Sequence, residues 1–326
     1  MTEPVPAQRS WWLLYFKLAV IVVVCVAVSG TLRSGWAQLA EHDWQWNLPW
    51  LAAAGLLYLA GLVPMAWFWR RVLAALGQRP SWFTTLNAYF LGHLGKYVPG
   101  KALVVVIRVG VIRRSVTSIR LAVASVLVET LTLMAVGGVL AAALSVIALN
   151  LDTRLTLLAL AMAVVAGLPT LPPIARRLAG RAAASPTTDD NQESTSATTT
   201  VETDAAVMRR GVTLPLLATG WFAATICWTL LGLSLWATLY GMGVEGIDPL
   251  EDLPRMVATV SLAVVAGFLS LLPGGIVVRD ALLVELLAPA CGDANALVAA
   301  VLLRIIWLLS ELGICGILRV VRTRHA

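Results

Sequence analysis

The sequence predicts an all-α integral membrane protein with about six full transmembrane helices and two Pro-Gly re-entrant hairpins in a candidate inverted repeat. Three observations predict it. Of 326 residues, 59% are hydrophobic and only 13% charged, against about 25% charged in a soluble domain. Apolar runs around Val20, Leu57, Leu133, Leu160, Leu230 and Leu308 approach or exceed the roughly 20 residues that cross ~30 Å of hydrocarbon. Finally, two shorter apolar segments are each broken by a Pro-Gly step, at Pro99-Gly100 and at Pro273-Gly274-Gly275.

The first run, residues 11–29, follows Arg9 and could pass for a secretory signal. Its length and bulky aromatic start, and the many spans after it, read instead as an uncleaved first helix. Basic residues then mark one side of the membrane: Arg70 and Arg71 close the second span, Arg108, Arg113, Arg114 and Arg120 the next apolar region, and Arg319, Arg322 and Arg324 the last. The positive-inside rule puts these, and both termini, in the cytoplasm. Acidic loops with little Lys or Arg, at Glu41 and Asp43 and from Glu245 to Asp252, fall outside. The net charge of +6 therefore reports orientation in a cytoplasmic membrane, and no nucleic-acid partner is expected.

The charge pattern constrains residues 82–112, which must start and finish inside. Their arms, 82–98 and 101–112, would reach ~25 Å and ~18 Å as helices, so a re-entrant hairpin fits better than two spans. Residues 253–290 must likewise start and finish outside, and the arm 276–288 reaches only ~20 Å. Short, Gly/Pro-interrupted segments in both halves of a chain are the mark of an inverted-repeat transporter, whose breaks meet near the midplane; ordinary kinked helices are the alternative. The predicted organisation is a first membrane half over 1–174, a disordered cytoplasmic linker over 175–211, and a second half over 212–326. The linker is assigned on its polar stretch SPTTDDNQESTSATTTVETDA, which offers nothing to pack a core.

Several charges stand where lipid should be. Glu129 lies inside the apolar run 119–149, and Arg304 and Glu311 share one face of the last helix. A charge at the bilayer centre costs roughly 2.5 to 3.5 kcal/mol on insertion scales, so such groups face protein or a water-filled cavity. Their candidate partners are one another and the hairpin charges Lys96, Lys101, Arg108, Arg279 and Asp280. For Lys101 and Arg108, snorkelling to the cytoplasmic headgroups is an equal alternative. His93 reads as a hydrogen-bonded packing residue, and the tryptophans near span ends, such as Trp46, Trp50 and Trp82, as an interfacial belt.

No enzyme constellation is visible. There are three histidines, no GxSxG and no phosphate-binding loop. The four cysteines lie far apart in mostly apolar runs, without metal-ligand spacing. No catalytic residue, metal or cofactor is expected.

GHLGKYVPGK followed by Arg108, then Glu129-Thr130 in the next helix, LSLLPGG with Arg279 and Asp280, and Arg304 with Glu311 together resemble the lysylphosphatidylglycerol synthase transmembrane region, also called the flippase-like domain family. The resemblance spans nearly the whole chain apart from the linker. It implies movement of a polar-headed phospholipid or lipid-linked precursor between leaflets. The partners it implies are membrane lipids with an anionic headgroup, and a lipid-modifying enzyme. The implied substrate-binding set is Lys96, Pro99, Gly100, Lys101, Arg108, Glu129, Pro273, Gly274, Gly275, Arg279, Asp280, Arg304 and Glu311. The best-known members continue into a soluble aminoacyl-transferase domain; here the last helix runs to Ala326, so lysyl transfer is not expected. The family's second motif commonly has glycine where this chain has Val277, and glutamate where it has Asp280. A membrane-embedded transferase using Glu129 or Asp280 as base, and a non-transporting scaffold, are the alternatives.

Overall fold

The computed structural model describes residues 46–97, 102–149, 153–168, 174, 204–270, 275 and 277–324. The chain divides into two compact units, Met1–Asp43 and Trp44–Ala326. The expected first span lies in the former, outside the described residues, and all that follows concerns the latter.

The described residues contain helices and no strand. In chain order these are α1 (Leu48–Ala75), α2 (Trp82–Leu94), α3 (Ala102–Ile112), α4 (Ile119–Leu144), α5 (Thr153–Gly167), α6 (Leu214–Gly241), α7 (Leu253–Leu269), α8 (Val278–Cys291) and α9 (Asp293–Arg324). Four of them, α1, α4, α6 and α9, are long and apolar enough to cross a membrane. Three of them, α1, α4 and α6, start where the local chemistry says they should. Ser118 and Thr213 supply side-chain caps to the amides of Leu121 and Leu216, and prolines occupy the first turns of α1 and α6, where the missing N–H costs nothing. In the run around Leu160, α5 has 15 residues over its described length, or ~22 Å, and follows a π-helical turn, Ser145–Leu149, that ends the regular helix of α4.

The core is built by α1 packing along α6, with α4, α7 and α9 against them. At one end of this bundle the backbone N–H of Asn47 donates to the carbonyl of Gly241 at 2.8 Å, joining the start of α1 to the end of α6. At the other end Gln78, just past α1, accepts from the N–H of Thr117, just before α4, at 2.7 Å. The two feet of the α2/α3 hairpin therefore adjoin. Arg70, Arg71, Arg79, Arg113, Arg114 and Arg120 all lie close in sequence to this junction, while Glu245, Asp248, Glu251 and Asp252 follow the opposite end of α6.

The predicted linker needs one correction. Residues 204–211 are helical, Met208 is fully buried, and the Ser118 hydroxyl donates to Asp204 at 2.8 Å. Polar composition hid an apolar anchor and a cap partner. The remainder of the predicted linker lies outside the described residues.

Candidate functional site

The first hairpin is cut short by its own sequence. Ser81 caps α2, accepting from the N–H of Thr84 at 3.1 Å, and α2 ends after 13 residues in a 3-10 turn, Gly95–Tyr97. The 11-residue α3 packs back against it. Close approach requires Gly92: a Cβ there would stand 2.4 Å from Cγ of Arg108. In that space the Arg108 side chain turns inward, 2% exposed, which excludes the snorkelling alternative for this residue.

Arg108 Nη1 donates to Glu129 Oε2 at 2.6 Å. The guanidinium lies 4.0 Å from the Tyr89 ring centroid and 5.4 Å from that of Trp69, and its Nη2 is 3.4 Å from Nδ1 of His93. The Tyr89 hydroxyl fills the other carboxylate oxygen of Glu129 at 2.9 Å. The carboxylate is thus held by two donors and the guanidinium by one carboxylate oxygen and two aromatic faces, which offsets much of the cost of burying the pair, although Arg108 Nε finds no hydrogen-bond partner among the described residues.

Glu311 and Arg304 do not pair with each other; each reaches a different hairpin. Lys96 Nζ donates to Glu311 Oε1 at 2.5 Å and to the Tyr58 hydroxyl at 2.9 Å, and Tyr58 also donates to Glu311. Arg304 Nη1 donates to Asp280 Oδ2 at 2.8 Å, with both side chains about a quarter exposed. The face of α9 carrying residues 304, 307 and 311 therefore holds one ion pair to the first hairpin and one to the second.

Between these pairs runs a stack that joins the hairpins. Lys96 Nζ lies 5.4 Å from the Tyr58 centroid, Tyr58 is stacked on Trp307 at 4.4 Å, and the Arg279 guanidinium lies 4.6 Å from the Trp307 ring. Both cations sit on aromatic faces, where the ring quadrupole favours them. Arg279 is 6% exposed, and its Nε and Nη2 find no hydrogen-bond partner among the described residues.

The second hairpin places Arg279 by a tight turn. Gly275 has φ +65°, and a Cβ on Gly267 would meet its Cα at 3.1 Å. Val277 follows with φ +76°, a backbone state that glycine adopts freely and valine does not. The replacement of the family's usual glycine by Val277 thus falls on a position whose conformation asks for glycine.

These groups line one cavity of about 290 Å³. Lys96, Arg108, Glu129, His93 and Arg279 form its polar part; Val105, Leu127, Met134, Leu231, Val264 and Phe268 are among its apolar walls. Of the predicted site residues, the cavity gathers Lys96, Arg108, Glu129, Gly275 and Arg279. Glu311 stands behind Lys96, and Asp280 with Arg304 forms a pair beside the cavity. Pro99, Gly100, Lys101, Pro273 and Gly274 lie outside the described residues. No group of His, Cys, Asp and Glu among the described residues could hold a metal.

Sequence reasoning missed the aromatic members. Trp46 is exposed as a belt residue should be, but Trp69, Trp228 and Trp307 are buried and donate to Ser125, to the carbonyl of Leu133 and to Ser234. For Trp228 and Trp307 the signal was position, well inside an apolar run and away from the interface that attracts tryptophan; Trp69, beside Arg70 and Arg71, carried no such signal.

The family model for the lysylphosphatidylglycerol synthase TM region matches residues 14–312. No curated protein matches the chain. With more than half its length covered by that model, on an all-helical frame with four membrane-length helices, the chain belongs to the lysylphosphatidylglycerol synthase transmembrane-region family, a multi-pass membrane family related to lipid handling.

Proposed function

We propose that this protein is a lipid flippase or transporter, carrying a polar-headed phospholipid or lipid-linked precursor between the leaflets of the cytoplasmic membrane. The observation that carries this reading is the cavity itself, cationic where the two hairpins meet and apolar along its other walls. A lipid needs such a division, because its headgroup must stay solvated by polar groups while its chains remain among hydrocarbon.

The topology of the proposal is six spans and two re-entrant hairpins related as an inverted repeat, with both termini in the cytoplasm. The adjoining feet of the first hairpin support it, as does the Lys96–Tyr58–Trp307–Arg279 stack, through which the hairpins come together. The arginine-rich junction and the acidic opposite end support the orientation. No chemical step is part of the reading. Glu129, with both oxygens engaged, and Asp280, paired to Arg304, are poorly suited to act as a transferase base.

The test is translocation of a headgroup-labelled phospholipid in vesicles containing the purified protein. We expect accelerated exchange without chemical change to the lipid. A modified product would favour a transferase, and exchange no faster than in empty vesicles would sink the reading. Single cysteines at positions 77 and 115 should be labelled from the same side and one at position 292 from the other; opposite labelling of 77 and 115 would overturn the re-entrant first hairpin.

A further inference from the structure

We infer that Ser234, a buried hydroxyl on α6 that does not itself line the cavity, is a positioning residue for lipid exchange: it holds the Trp307 ring on which Arg279 rests. The inference rests on the lipid-cavity reading above and adds to it a residue that neither charge nor motif marks. Trp307 Nε1 donates to Ser234 Oγ at 3.0 Å, and Ser234 Oγ donates to the carbonyl of Ala54 at 2.8 Å. Ala54 lies one turn before Tyr58 on α1, and Tyr58 is the ring stacked on Trp307, 11° from parallel. One serine therefore ties the indole of α9 to the helix that carries its stacking partner. The two helices meet closely there, since a Cβ on Gly55 would stand 2.4 Å from Ser310 Oγ. An indole bonded at its N–H and stacked on a second ring has little freedom left. The Arg279 guanidinium, 4.6 Å from that ring, takes its place from it.

The same three-part arrangement occurs at the first hairpin, with a different consequence. Trp69 Nε1 donates to Ser125 Oγ at 2.9 Å, Ser125 Oγ donates to the carbonyl of Ala122 at 2.6 Å, and the Trp69 ring lies 5.4 Å from the Arg108 guanidinium. Both serines and both indoles are at most 3% exposed. Arg108, however, is also held by Glu129 and by the Tyr89 ring at 4.0 Å, so its indole is one support among three. Arg279 has neither a carboxylate partner nor a second ring among the described residues. Loosening Trp307 therefore loosens Arg279, whereas loosening Trp69 leaves Arg108 where its carboxylate holds it.

The experiment sets Ser234→Ala against Ser125→Ala in the full chain. Three quantities are read: unfolding temperature in detergent, exchange of a headgroup-labelled phospholipid in vesicles, and the fluorine resonance of fluorotryptophan at position 307, identified by its loss in Trp307→Phe. Each serine change removes one buried indole hydrogen bond, so similar falls in unfolding temperature are expected. Ser234→Ala should also slow exchange about fivefold, in keeping with the loss of one such bond, and move the resonance at 307. Ser125→Ala should leave exchange and resonance as in the wild type. Wild-type exchange in a folded Ser234→Ala, or equal slowing by both serine changes, overturns the inference and leaves the lipid cavity standing. Slowed exchange with an unmoved resonance also overturns it, because the effect would not pass through Trp307. A wild-type protein that exchanges lipid no faster than empty vesicles overturns both. Should Ser234→Ala fail to fold, Trp307→Phe decides: it keeps a ring but loses the N–H, so it should slow exchange at least as much, and wild-type exchange in it overturns the inference.

Discussion

Arg108 and Arg279 follow the Pro-Gly breaks of the first and second hairpins, and both are more than nine-tenths buried against aromatic rings. They differ in what surrounds the charge. Arg108 is paired to a carboxylate, which a tyrosine secures in turn, whereas Arg279 stacks on Trp307 and has no carboxylate partner among the described residues, with both Nε and Nη2 unbonded there against Nε alone in Arg108. A compensated buried cation fixes the register of the elements it joins; an uncompensated one has its desolvation unpaid until a ligand supplies the anion. Sequence symmetry between the hairpins thus conceals a difference in electrostatic compensation, with one arginine paired to a carboxylate and the other without one among the described residues.

The sharpest way to break the comparison is to remove the lock. Glu129→Ala leaves Arg108 charged and alone, and we expect a loss of about 3 to 5 kcal/mol, read from unfolding in detergent. Arg279→Gln should leave stability close to wild type, because no partner is orphaned, while lipid exchange falls about tenfold or more. The Glu129→Ala/Arg108→Met double change should recover much of the stability lost by the first alone. Equal destabilisation by Glu129→Ala and Arg279→Gln would erase the distinction.

Next comes the space that lets the lock close. Gly92→Ala puts a methyl 2.4 Å from Cγ of Arg108, and overpacking of this kind costs about 1 to 3 kcal/mol. Because the clash displaces Arg108 and not Arg279, the loss should be smaller in an Arg108→Ala background. A loss of the same size in both backgrounds would mean that the glycine serves the helix backbone and not the arginine.

Much of this arrangement was legible in the sequence. Apolar runs gave the long helices, and charges inside those runs gave Glu129, Arg304 and Glu311, because a charge stranded in hydrocarbon demands explanation. Partner choice was not legible. Residues 304 and 311 share a helical face, yet each pairs with a hairpin, one across 24 residues and the other across 215, and no spacing rule specifies such contacts between separate helices. Tyr58, Tyr89 and Gly92 escaped notice because an aromatic or a glycine within an apolar helix reads as packing until a cation is found against it. The helix at 204–211 escaped because a polar neighbourhood outweighed one buried methionine.

The smallest effect concerns Val277, where the second hairpin departs most from its family's usual pattern. Its φ of +76° is unfavourable for a β-branched residue, and a strained backbone state of this kind costs of order 1 to 3 kcal/mol. Glycine removes that strain but adds freedom to the unfolded chain, which costs roughly 0.5 to 1 kcal/mol. The two contributions oppose each other, so Val277→Gly should stabilise by about 1 kcal/mol or less. Arg279 lies two residues on, so a freer turn should loosen the aim of its guanidinium. We therefore expect the variant to unfold at equal or slightly higher temperature while binding phospholipid less tightly. Val277→Ala, which retains a Cβ and hence most of the strain, should leave both quantities near wild type. If Val277→Gly instead destabilised the protein by more than it loosened binding, the valine would owe its place to packing, and the positive φ would be incidental to the positioning of Arg279.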